Sequence, residues 1–218
     1  METENRSLLI EGAKALGIPL DARRVEAFDI YLKELLKWNR KINLTAIRTE
    51  KEIVLKHFLD SLSTYPYVSS ISSLLDIGSG AGLPGIPLKI VEPSLEITLI
   101  DSTRKKVDFQ RHIIRTLGLK GIEAIHGRVQ DKEILHAMGQ RFDAVISRGF
   151  SDLRTFLSLS LTFLKKGGTV LAMKGPVRSE EIQSLIQLEG SSYRLKKVSS
   201  FVLPFSSIKR SILLFEKV

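Results

Sequence analysis

The sequence of 218 residues has no cysteine, only four histidines and no apolar run near the roughly 20 residues of a membrane span. The absence of cysteine excludes disulfides, thiolate metal sites and a cysteine nucleophile. No two histidines have metal-ligand spacing, and the first residues lack the basic start and apolar stretch of an export signal. We therefore expect a cytoplasmic protein with no metal and no membrane contact.

Acidic residues are fewer than basic ones in this sequence. Lysine and arginine total 33 against 24 aspartates and glutamates, which gives a formal net charge of +9. Such an excess predicts attraction to a polyanion such as RNA through phosphate contacts. A basic surface kept for solubility explains the charge equally well, so the site chemistry has to decide.

The periodicity of apolar residues changes near residue 72. Before it, the pattern is helical, with Asp21 as the N-cap of one helix and Thr49 in capping-box spacing with Glu52 before another. After it, short apolar runs alternate with amphipathic stretches, which is typical of parallel strands joined by crossover helices. The sequence therefore predicts a helical extension at 1–72 and an α/β domain at 73–218.

Seven runs in the second part are candidate strands. The last two, separated by a short loop with Pro204, predict an antiparallel hairpin at the edge of a mostly parallel sheet. The predicted strands are Leu74–Ile77, Ile97–Ile100, Ile122–Ile125, Ala144–Ile146, Thr169–Met173, Tyr193–Ser200 and Ile208–Glu216.

A glycine-rich turn follows the first predicted strand and reads Asp76-Ile77-Gly78-Ser79-Gly80-Ala81-Gly82. Glycines at this place let the backbone turn tightly and approach a nucleotide cofactor. Residues 80–85 also match the G-x-G-x-x-G pattern of dinucleotide sites, and Asp101 ends the next predicted strand. Two cofactor classes, S-adenosylmethionine and a dinucleotide such as NAD, therefore compete.

Three features favour S-adenosylmethionine. Asp76 precedes the first glycine, where a carboxylate suits the ammonium group of the methionine moiety and repels a pyrophosphate. Leu83 and Pro84 crowd the helix N-terminus that a pyrophosphate needs, and the rest of the chain leaves no second domain for a hydride acceptor. Asp101 is then expected to accept hydrogen bonds from the ribose hydroxyls, to cap a helix starting near Thr103, or to do both. An NAD-dependent oxidoreductase stays the alternative.

Six motifs in order along the chain resemble the bacterial ribosomal RNA small-subunit methyltransferase G family, also called glucose-inhibited division protein B. They are Asn43-Leu44-Thr45, His57 to Ser61, Asp76 to Pro87, Arg128-Val129, Ile146-Ser147-Arg148 and Lys174-Gly175. The resemblance implies a Rossmann-like class I methyltransferase fold with an N-terminal helical extension. It also implies methyl transfer to N7 of a guanine in small-subunit ribosomal RNA, free or in the small ribosomal subunit. We expect the enzyme to be a monomer.

The resemblance also assigns site residues by matching position. Gly78 and Leu83 would contact the cofactor, Val129 and Gln130 would flank its adenine, and Arg148 would lie at the boundary between cofactor and substrate. The full cofactor set is Asp76, Gly78, Gly80, Gly82, Leu83, Asp101, Val129, Gln130 and Arg148, and the expected catalytic set is Asn39, Arg128, Arg148 and Lys174. Gln130 departs from the family pattern, in which an acidic residue is expected.

Other residues allow two interpretations. Three polar residues, His57, Asp60 and Ser61, fall within about one helical turn. They are interpreted either as a catalytic cluster or as packing and capping residues. Trp38 is a base-stacking or a core residue. The basic residues 104–106 and Arg111 form an RNA-contacting or a merely solvated helix face. A non-enzymatic RNA-binding scaffold is the rival class, although such a scaffold needs neither Asp76 nor Asp101.

Overall fold

Eight α-helices and seven strands were found in the computed structural model, which describes residues 1–150, 152–178, 180–181 and 192–218. The helices are α1 (Thr3–Ala15), α2 (Ala22–Ile42), α3 (Glu50–Ile53), α4 (Asp60–Leu62), α5 (Gly85–Val91), α6 (Arg104–Thr116), α7 (Lys132–Met138) and α8 (Leu153–Phe163), with a π-helix at Val54–Leu59 and a 3-10 turn at Tyr65–Tyr67. The strands are β1 (Ser73–Ile77), β2 (Glu96–Asp101), β3 (Ile122–His126), β4 (Phe142–Arg148), β5 (Leu164–Lys174), β6 (Tyr193–Val202) and β7 (Lys209–Lys217).

The helical caps follow the sequence signals. Asp21 accepts a hydrogen bond from the Arg24 amide at 2.7 Å, which satisfies a donor in the first turn of α2. Thr49 accepts from the Glu52 amide at 3.3 Å, and its hydroxyl donates to the Glu52 carboxylate at 3.0 Å. Both predicted caps are confirmed, and residues 1–72, all of which the structure describes, contain no strand.

All strands belong to one sheet with the order β3-β2-β1-β4-β5-β7-β6. Neighbouring strands among the first five run parallel, whereas β7 is antiparallel to β5 and β6 is antiparallel to β7 at the edge. This confirms the α/β fold and the C-terminal antiparallel hairpin. The expected start of the fifth strand at Thr169 is wrong, because Leu164 already pairs with Phe142 before an irregularity in the register. The intervening Lys165–Gly168 carries no apolar signal.

Apolar side chains cover both faces of the sheet. Phe28, Tyr31 and Phe58 are fully buried in one layer, together with residues of α5, α6 and the sheet itself. Phe156 and Phe163 of α8 lie in the layer on the other face. The N-terminal helices therefore share a core with the sheet, and residue 72 marks a change of secondary structure within that core.

The parallel strands direct their carboxyl ends to one edge of the sheet, which we call the carboxyl edge. In open α/β sheets, ligands bind in the crevice outside this edge. In the described ranges no helix combines the length and apolar character needed to cross a bilayer, and no group of three or more His, Asp or Glu side chains is arranged to hold a metal ion. The candidate site is therefore expected at the carboxyl edge.

Candidate active site

The glycine turn between β1 and α5 presents bare backbone to open space. Gly78 and Gly80 have φ angles of +68° and +58°, a region that glycine adopts without a steric penalty. A Cβ atom on Gly78 would meet nothing within 4 Å, and one on Gly80 would meet only the Gly78 carbonyl oxygen at 3.9 Å. A ligand can therefore approach the backbone closely at both positions.

Gly82 has a different task from the one expected of it. Its φ is +90°, but an added Cβ would overlap the Ile86 side chain of α5 and lie 3.4 Å from the Tyr31 hydroxyl. Gly82 also lines none of the cavities at this edge. It therefore allows α5 to pack closely under the turn rather than facing a ligand.

Asp101 ends β2 and supports the same turn. Its Oδ2 accepts a hydrogen bond from the Gly80 amide at 2.9 Å, and its Oδ1 accepts from the Thr103 amide at 2.8 Å just before α6. An ionised carboxylate offers about four lone-pair sites, so each oxygen retains one for a further donor. Asp101 also lines a cavity at the carboxyl edge, and the bond to Thr103 agrees with a second role at the start of α6.

This cavity has a volume of about 620 Å³ and opens at the carboxyl edge beside Gly78. Apolar side chains and the carboxylates of Asp101 and Asp131 share its wall, which suits a nucleoside with a flat ring and two hydroxyls. The lining residues are Ile77, Gly78, Ile100, Asp101, Ser102, Gly127, Arg128, Val129, Gln130, Asp131 and Phe150. We call it the nucleoside cavity.

Val129 and Gln130 lie in the wall of the nucleoside cavity, as the matching positions imply. Val129 is buried, whereas the Gln130 side chain is exposed. The acidic side chain missing at Gln130 occurs one residue later, where the Asp131 carboxylate accepts a hydrogen bond from the Arg128 amide at 2.8 Å in the same wall.

Asp76 lies beneath the turn, not at the rim where the sequence places it. The side chain is fully buried, and its Oδ2 accepts a hydrogen bond from the Gly85 amide at 2.9 Å, while Oδ1 has no partner. Burial raises the pKa of the carboxyl to about 7, with a smaller contribution from nearby Asp101 and against the opposing effects of the Gly85 amide and Arg148. The Gly85 amide draws Asp76 inward because α5 begins directly behind the turn.

Replacing Asp76 with asparagine should change how stability depends on pH. The pKa of Asp76 is raised from 3.8 to about 7 in the folded state, so the folded protein holds this proton more tightly than the unfolded chain. The raised pKa of Asp76 therefore contributes to the free energy of unfolding below about pH 4, and this contribution is lost as pH rises to about 7. It amounts to about 1.4 kcal/mol for each unit by which the pKa is raised. The free energy of unfolding of the wild type should fall relative to Asp76→Asn between pH 5 and pH 8 in denaturant titrations. A constant difference would contradict this assignment.

A second cavity of about 460 Å³ lies on the other side of Phe150, which lines both. It gathers cationic side chains from the ends of β4 and β5 and the start of β7. Its lining residues are Ile47, Lys56, His57, Asp60, Arg148, Gly149, Phe150, Met173, Lys174, Gly175 and Arg210. We call it the cationic cavity.

Arg148 stands between the two regions. It lines the cationic cavity and also a smaller cavity of about 140 Å³ whose wall includes Gly78, Gly80 and Leu83. The structure therefore places Arg148 and Leu83 beside the glycine turn, with Arg148 reaching toward the cations beyond it.

A buried carboxylate holds two arginines in the cationic cavity. Asp60 is 3% exposed, and its Oδ2 lies 3.3 Å from Nη1 of Arg148, while its Oδ1 accepts from Nε of Arg210 at 2.8 Å. Nη1 of Arg148 also donates to the Lys56 carbonyl at 2.8 Å, in the π-helix that precedes α4. Single π-helical turns are frequent at functional sites. Asp60 therefore fixes the orientation of Arg148 and Arg210.

His57 has a packing role. Its Nε2 lies 2.9 Å from the Thr45 hydroxyl, and burial together with Arg148 lowers its pKa to about 4. The Ser61 hydroxyl donates to the His57 carbonyl rather than to the ring. These contacts favour the packing and capping interpretation of His57, Asp60 and Ser61 over that of a catalytic cluster.

The four expected catalytic residues do not form one group. Arg148 and Lys174 both line the cationic cavity, where Lys174 pairs with Glu181. Arg128 is exposed in the wall of the nucleoside cavity, away from that pair. Asn39 lines neither cavity.

Asn39 instead orders a loop beside the site. Its Oδ1 accepts from the Thr45 amide at 2.9 Å, and its Nδ2 donates to the Thr45 carbonyl at 2.9 Å and the Ile47 carbonyl at 3.3 Å. Both hydrogen-bonding ends of the amide are thus occupied by backbone. The expectation that Asn39 touches substrate is corrected to a role in positioning the loop that carries Thr45.

Trp38 packs against other rings, and the basic residues of α6 lie outside the two main cavities. The indole packs at 5.5 Å from the Phe109 ring and 5.1 Å from the His112 ring, measured between centroids. Arg111 donates to the Ala124 carbonyl at 3.0 Å, and Arg104 pairs with Asp108 on the helix surface. None of these side chains lines the two main cavities.

Sequence reasoning missed several residues that shape the site. Gln110 of α6 donates to the Ser79 hydroxyl at 2.9 Å and the Gly80 carbonyl at 2.7 Å, and the Tyr31 hydroxyl donates to the Ala81 carbonyl at 2.6 Å. These three hydrogen bonds come from helices distant in sequence and leave no local pattern. For Arg210 a signal existed, because an antiparallel strand beside β5 starts at the carboxyl edge.

Comparison with known proteins identifies the family to which this chain belongs. Residues 24–211 match the family described as rRNA small subunit methyltransferase G. The ribosomal RNA small subunit methyltransferase G of Geobacter metallireducens is 44% identical over 214 residues, covering 98% of this chain and 96% of that protein. The protein of the same name from Acetivibrio thermocellus is 40% identical over 217 residues, covering 99% and 90% respectively.

Solved structures agree at the level of the fold. Precorrin-6y C5,15-methyltransferase from Geobacter metallireducens aligns with a TM-score of 0.51 at 14% identity, covering 80% of this chain and 90% of that one. TYW2 of M. jannaschii in complex with AdoMet aligns with a TM-score of 0.51 at 18% identity, covering 66% and 67%. The cofactor turn at the sheet edge and the adjoining cationic cavity agree with the family match. Because that match covers most of its length, this chain belongs to the rRNA small subunit methyltransferase G family.

Proposed function

We propose that the protein transfers the methyl group of S-adenosylmethionine to N7 of a guanine in small-subunit ribosomal RNA. One observation carries the proposal: the nucleoside cavity at the glycine turn adjoins the cationic cavity, with Phe150 lining both. The family supplies the substrate class. With ribosomal RNA as its substrate, we expect the enzyme to act in the cytoplasm.

The residues present fit S-adenosylmethionine. Gly78 and Gly80 leave room for close approach of the methionine part, Asp101 has lone pairs for two ribose hydroxyls, and Val129 offers an apolar wall for the adenine. The unpartnered Oδ1 of Asp76 beneath the turn suits a cationic ligand above it, since a buried polar atom costs free energy without a partner. When bound, the cofactor supplies an electrophilic methyl group on a sulfonium.

The cationic cavity fits the RNA. Arg148, Lys174 and Arg210 converge there, and an arginine fork binds a phosphate or the O6 edge of guanine through two parallel hydrogen bonds. A base must leave its stack to reach such a cavity, and single-stranded loops of RNA allow this at least cost. The formal net charge of +9 adds attraction to the phosphate backbone.

Placement is the main task of these side chains. Guanine N7 has an in-plane lone pair and no proton, so its attack on a methyl group requires no general base. Holding N7 in line at near-attack distance lowers the barrier by several kcal/mol. Because methylation puts positive charge on the base, Arg148 and Lys174 should bind phosphate or O6 and stay away from N7.

The two other expected residues serve this arrangement from outside the cationic cavity. Arg128 lies in the wall of the nucleoside cavity, where it can contact the cofactor or an RNA phosphate at the rim. Asn39 holds the loop whose Thr45 hydroxyl meets His57, next to Arg148. Asn39 is therefore a positioning residue.

Transfer of labelled methyl from S-adenosylmethionine tests the proposal. The protein is incubated with small ribosomal subunits, with the RNA extracted from them, and with large subunits. We expect label in small-subunit RNA from one or both of the first two samples and none in large-subunit RNA. Binding of NAD without binding of S-adenosylmethionine, or label in large-subunit RNA alone, would refute the function.

The rate of methyl transfer should be nearly independent of pH. His57, the histidine at the site, has its pKa lowered to about 4, so its ring is uncharged throughout the neutral range. Single-turnover rates at saturating S-adenosylmethionine should therefore stay flat between about pH 6.5 and 8.5, as expected without a general base. A rate that rises tenfold per pH unit and disappears in His57→Ala would show that a base is required.

A further inference from the structure

The turn between β6 and β7 displays an aromatic ring to solvent. Phe205 is 65% exposed and Val202 is 51% exposed, and these are two of the three large apolar side chains that stand out as exposed in the described part of the chain. Phe205 also has a φ of +56°, which is unfavourable for a residue with a bulky side chain. Both the exposure and the backbone conformation lower the stability of the folded protein, so a role in folding does not explain them.

The turn that carries Phe205 is internally tied. Leu203 is 1% exposed, its amide donates to the Ile208 carbonyl at 2.9 Å, and its carbonyl accepts from the Ser206 hydroxyl at 2.9 Å. The Ile208 amide donates to the Ser206 hydroxyl at 3.1 Å. These contacts fix the backbone on both sides of Phe205, so the ring is presented from a defined base.

The turn projects past the carboxyl edge, next to the cationic cavity. In the register of β5 and β7, Lys174 pairs with Ser211, so the residues before Ser211 extend beyond the end of β5. Arg210 lines the cationic cavity, and exposed Lys209 pairs with Val202 at the base of the turn. Phe205 therefore lies on the hairpin turn that extends past the carboxyl edge, and Lys209 stands between it and Arg210 of the cationic cavity along the chain.

We propose that Phe205 is a stacking platform for an unpaired RNA base next to the methylated guanine. Aromatic rings beside cationic side chains are how proteins hold single-stranded RNA: the ring takes the face of the base and the cations take the phosphates. The positive surroundings of the turn favour RNA over an apolar protein partner. The inference deepens the proposed function and rests on it.

Kinetics with small-subunit RNA or small subunits, whichever the wild type methylates, test this platform. Phe205→Ala should raise KM for the RNA about tenfold, within the range for loss of one base stack, with kcat and the affinity for S-adenosylmethionine little changed. Phe205→Trp should retain wild-type KM because it keeps a flat ring. Val202→Ala is the matched control, since it removes exposed apolar surface from the same hairpin without removing a ring.

Fluorescence provides a direct readout of stacking. The only native tryptophan, Trp38, packs against Phe109, so Phe205→Trp adds a second, exposed emitter. A single-stranded oligonucleotide with the sequence of the methylated region should quench this added emission and leave the wild-type signal nearly unchanged. Unchanged KM in Phe205→Ala, an equal KM rise in Val202→Ala, or unquenched Phe205→Trp would overturn the platform. A wild type that methylates no ribosomal RNA would instead overturn the proposed function.

Discussion

Gly80→Leu should weaken S-adenosylmethionine binding by at least about a hundredfold, which corresponds to about 2.7 kcal/mol. The reason is geometric: a Cβ on Gly80 points into open space beside the glycine turn, so a larger side chain fills the volume that the ligand needs. The Gly80 amide also donates to Asp101 at 2.9 Å, which links this position to the ribose-binding carboxylate. Isothermal titration calorimetry measures the affinity directly.

Gly17→Leu is the matched control for this experiment. Gly17 has a φ of +79° and, like Gly80, open space around an added Cβ, but it lies in the exposed connection after α1. Both substitutions impose a similar backbone penalty of roughly 1–2 kcal/mol, whereas only Gly80 faces the proposed cofactor. Equal affinities in the two variants would refute the assignment of the turn as the cofactor site.

Arg148→Ala and Lys174→Ala should each lower the single-turnover rate of methyl transfer by at least about tenfold, where one decade corresponds to 1.4 kcal/mol. Both side chains line the cationic cavity, and Arg148 also borders the glycine turn. Removing either takes away a donor that would hold the RNA in line with the methyl group. Rates are measured with saturating S-adenosylmethionine and small-subunit RNA or small subunits.

Two comparisons separate catalysis from general effects. Lys165 also lies in β5 and pairs with Asp143, but at the opposite end of the strand, so Lys165→Ala should keep the wild-type rate. Arg148→Lys keeps the positive charge but loses the planar guanidinium that Asp60 orients. Because a lysine cannot form two parallel hydrogen bonds to phosphate or O6, this variant should recover little of the lost rate. A rate in Lys165→Ala as low as in Lys174→Ala would assign both effects to stability.

The sequence predicted the sheet well because its signals are local. Each parallel strand is an apolar run between polar stretches, and the hairpin carries its own loop with Pro204, so the strands and their directions followed from alternation and spacing, whereas the strand order came from the structure. The extra residues at the start of β5 were invisible, since Lys165 to Gly168 join the strand through backbone pairing and a register irregularity rather than through apolar side chains.

The site was predicted less completely, because its remaining parts depend on contacts between distant elements. The turn and Asp101 follow the strand order, so their proximity was accessible from the sequence. The inward position of Asp76 depends on where α5 begins, and the pairing of Asp60 with Arg210 joins residues 150 positions apart. Asn39 matched a family position but faces backbone, which no motif indicates.

Nucleoside analysis of the methylated RNA tests whether the protein transfers the methyl group of S-adenosylmethionine to N7 of guanine. Small-subunit RNA from the reaction with isotope-labelled S-adenosylmethionine is digested to nucleosides, and the labelled product is identified by mass spectrometry against N7-methylguanosine and other methylated standards. We expect label in N7-methylguanosine alone, strongly reduced in Gly80→Leu at a concentration of S-adenosylmethionine near the wild-type Kd and retained in Gly17→Leu. Label in a different methylated nucleoside, or no transfer by a wild type that binds S-adenosylmethionine, would contradict it.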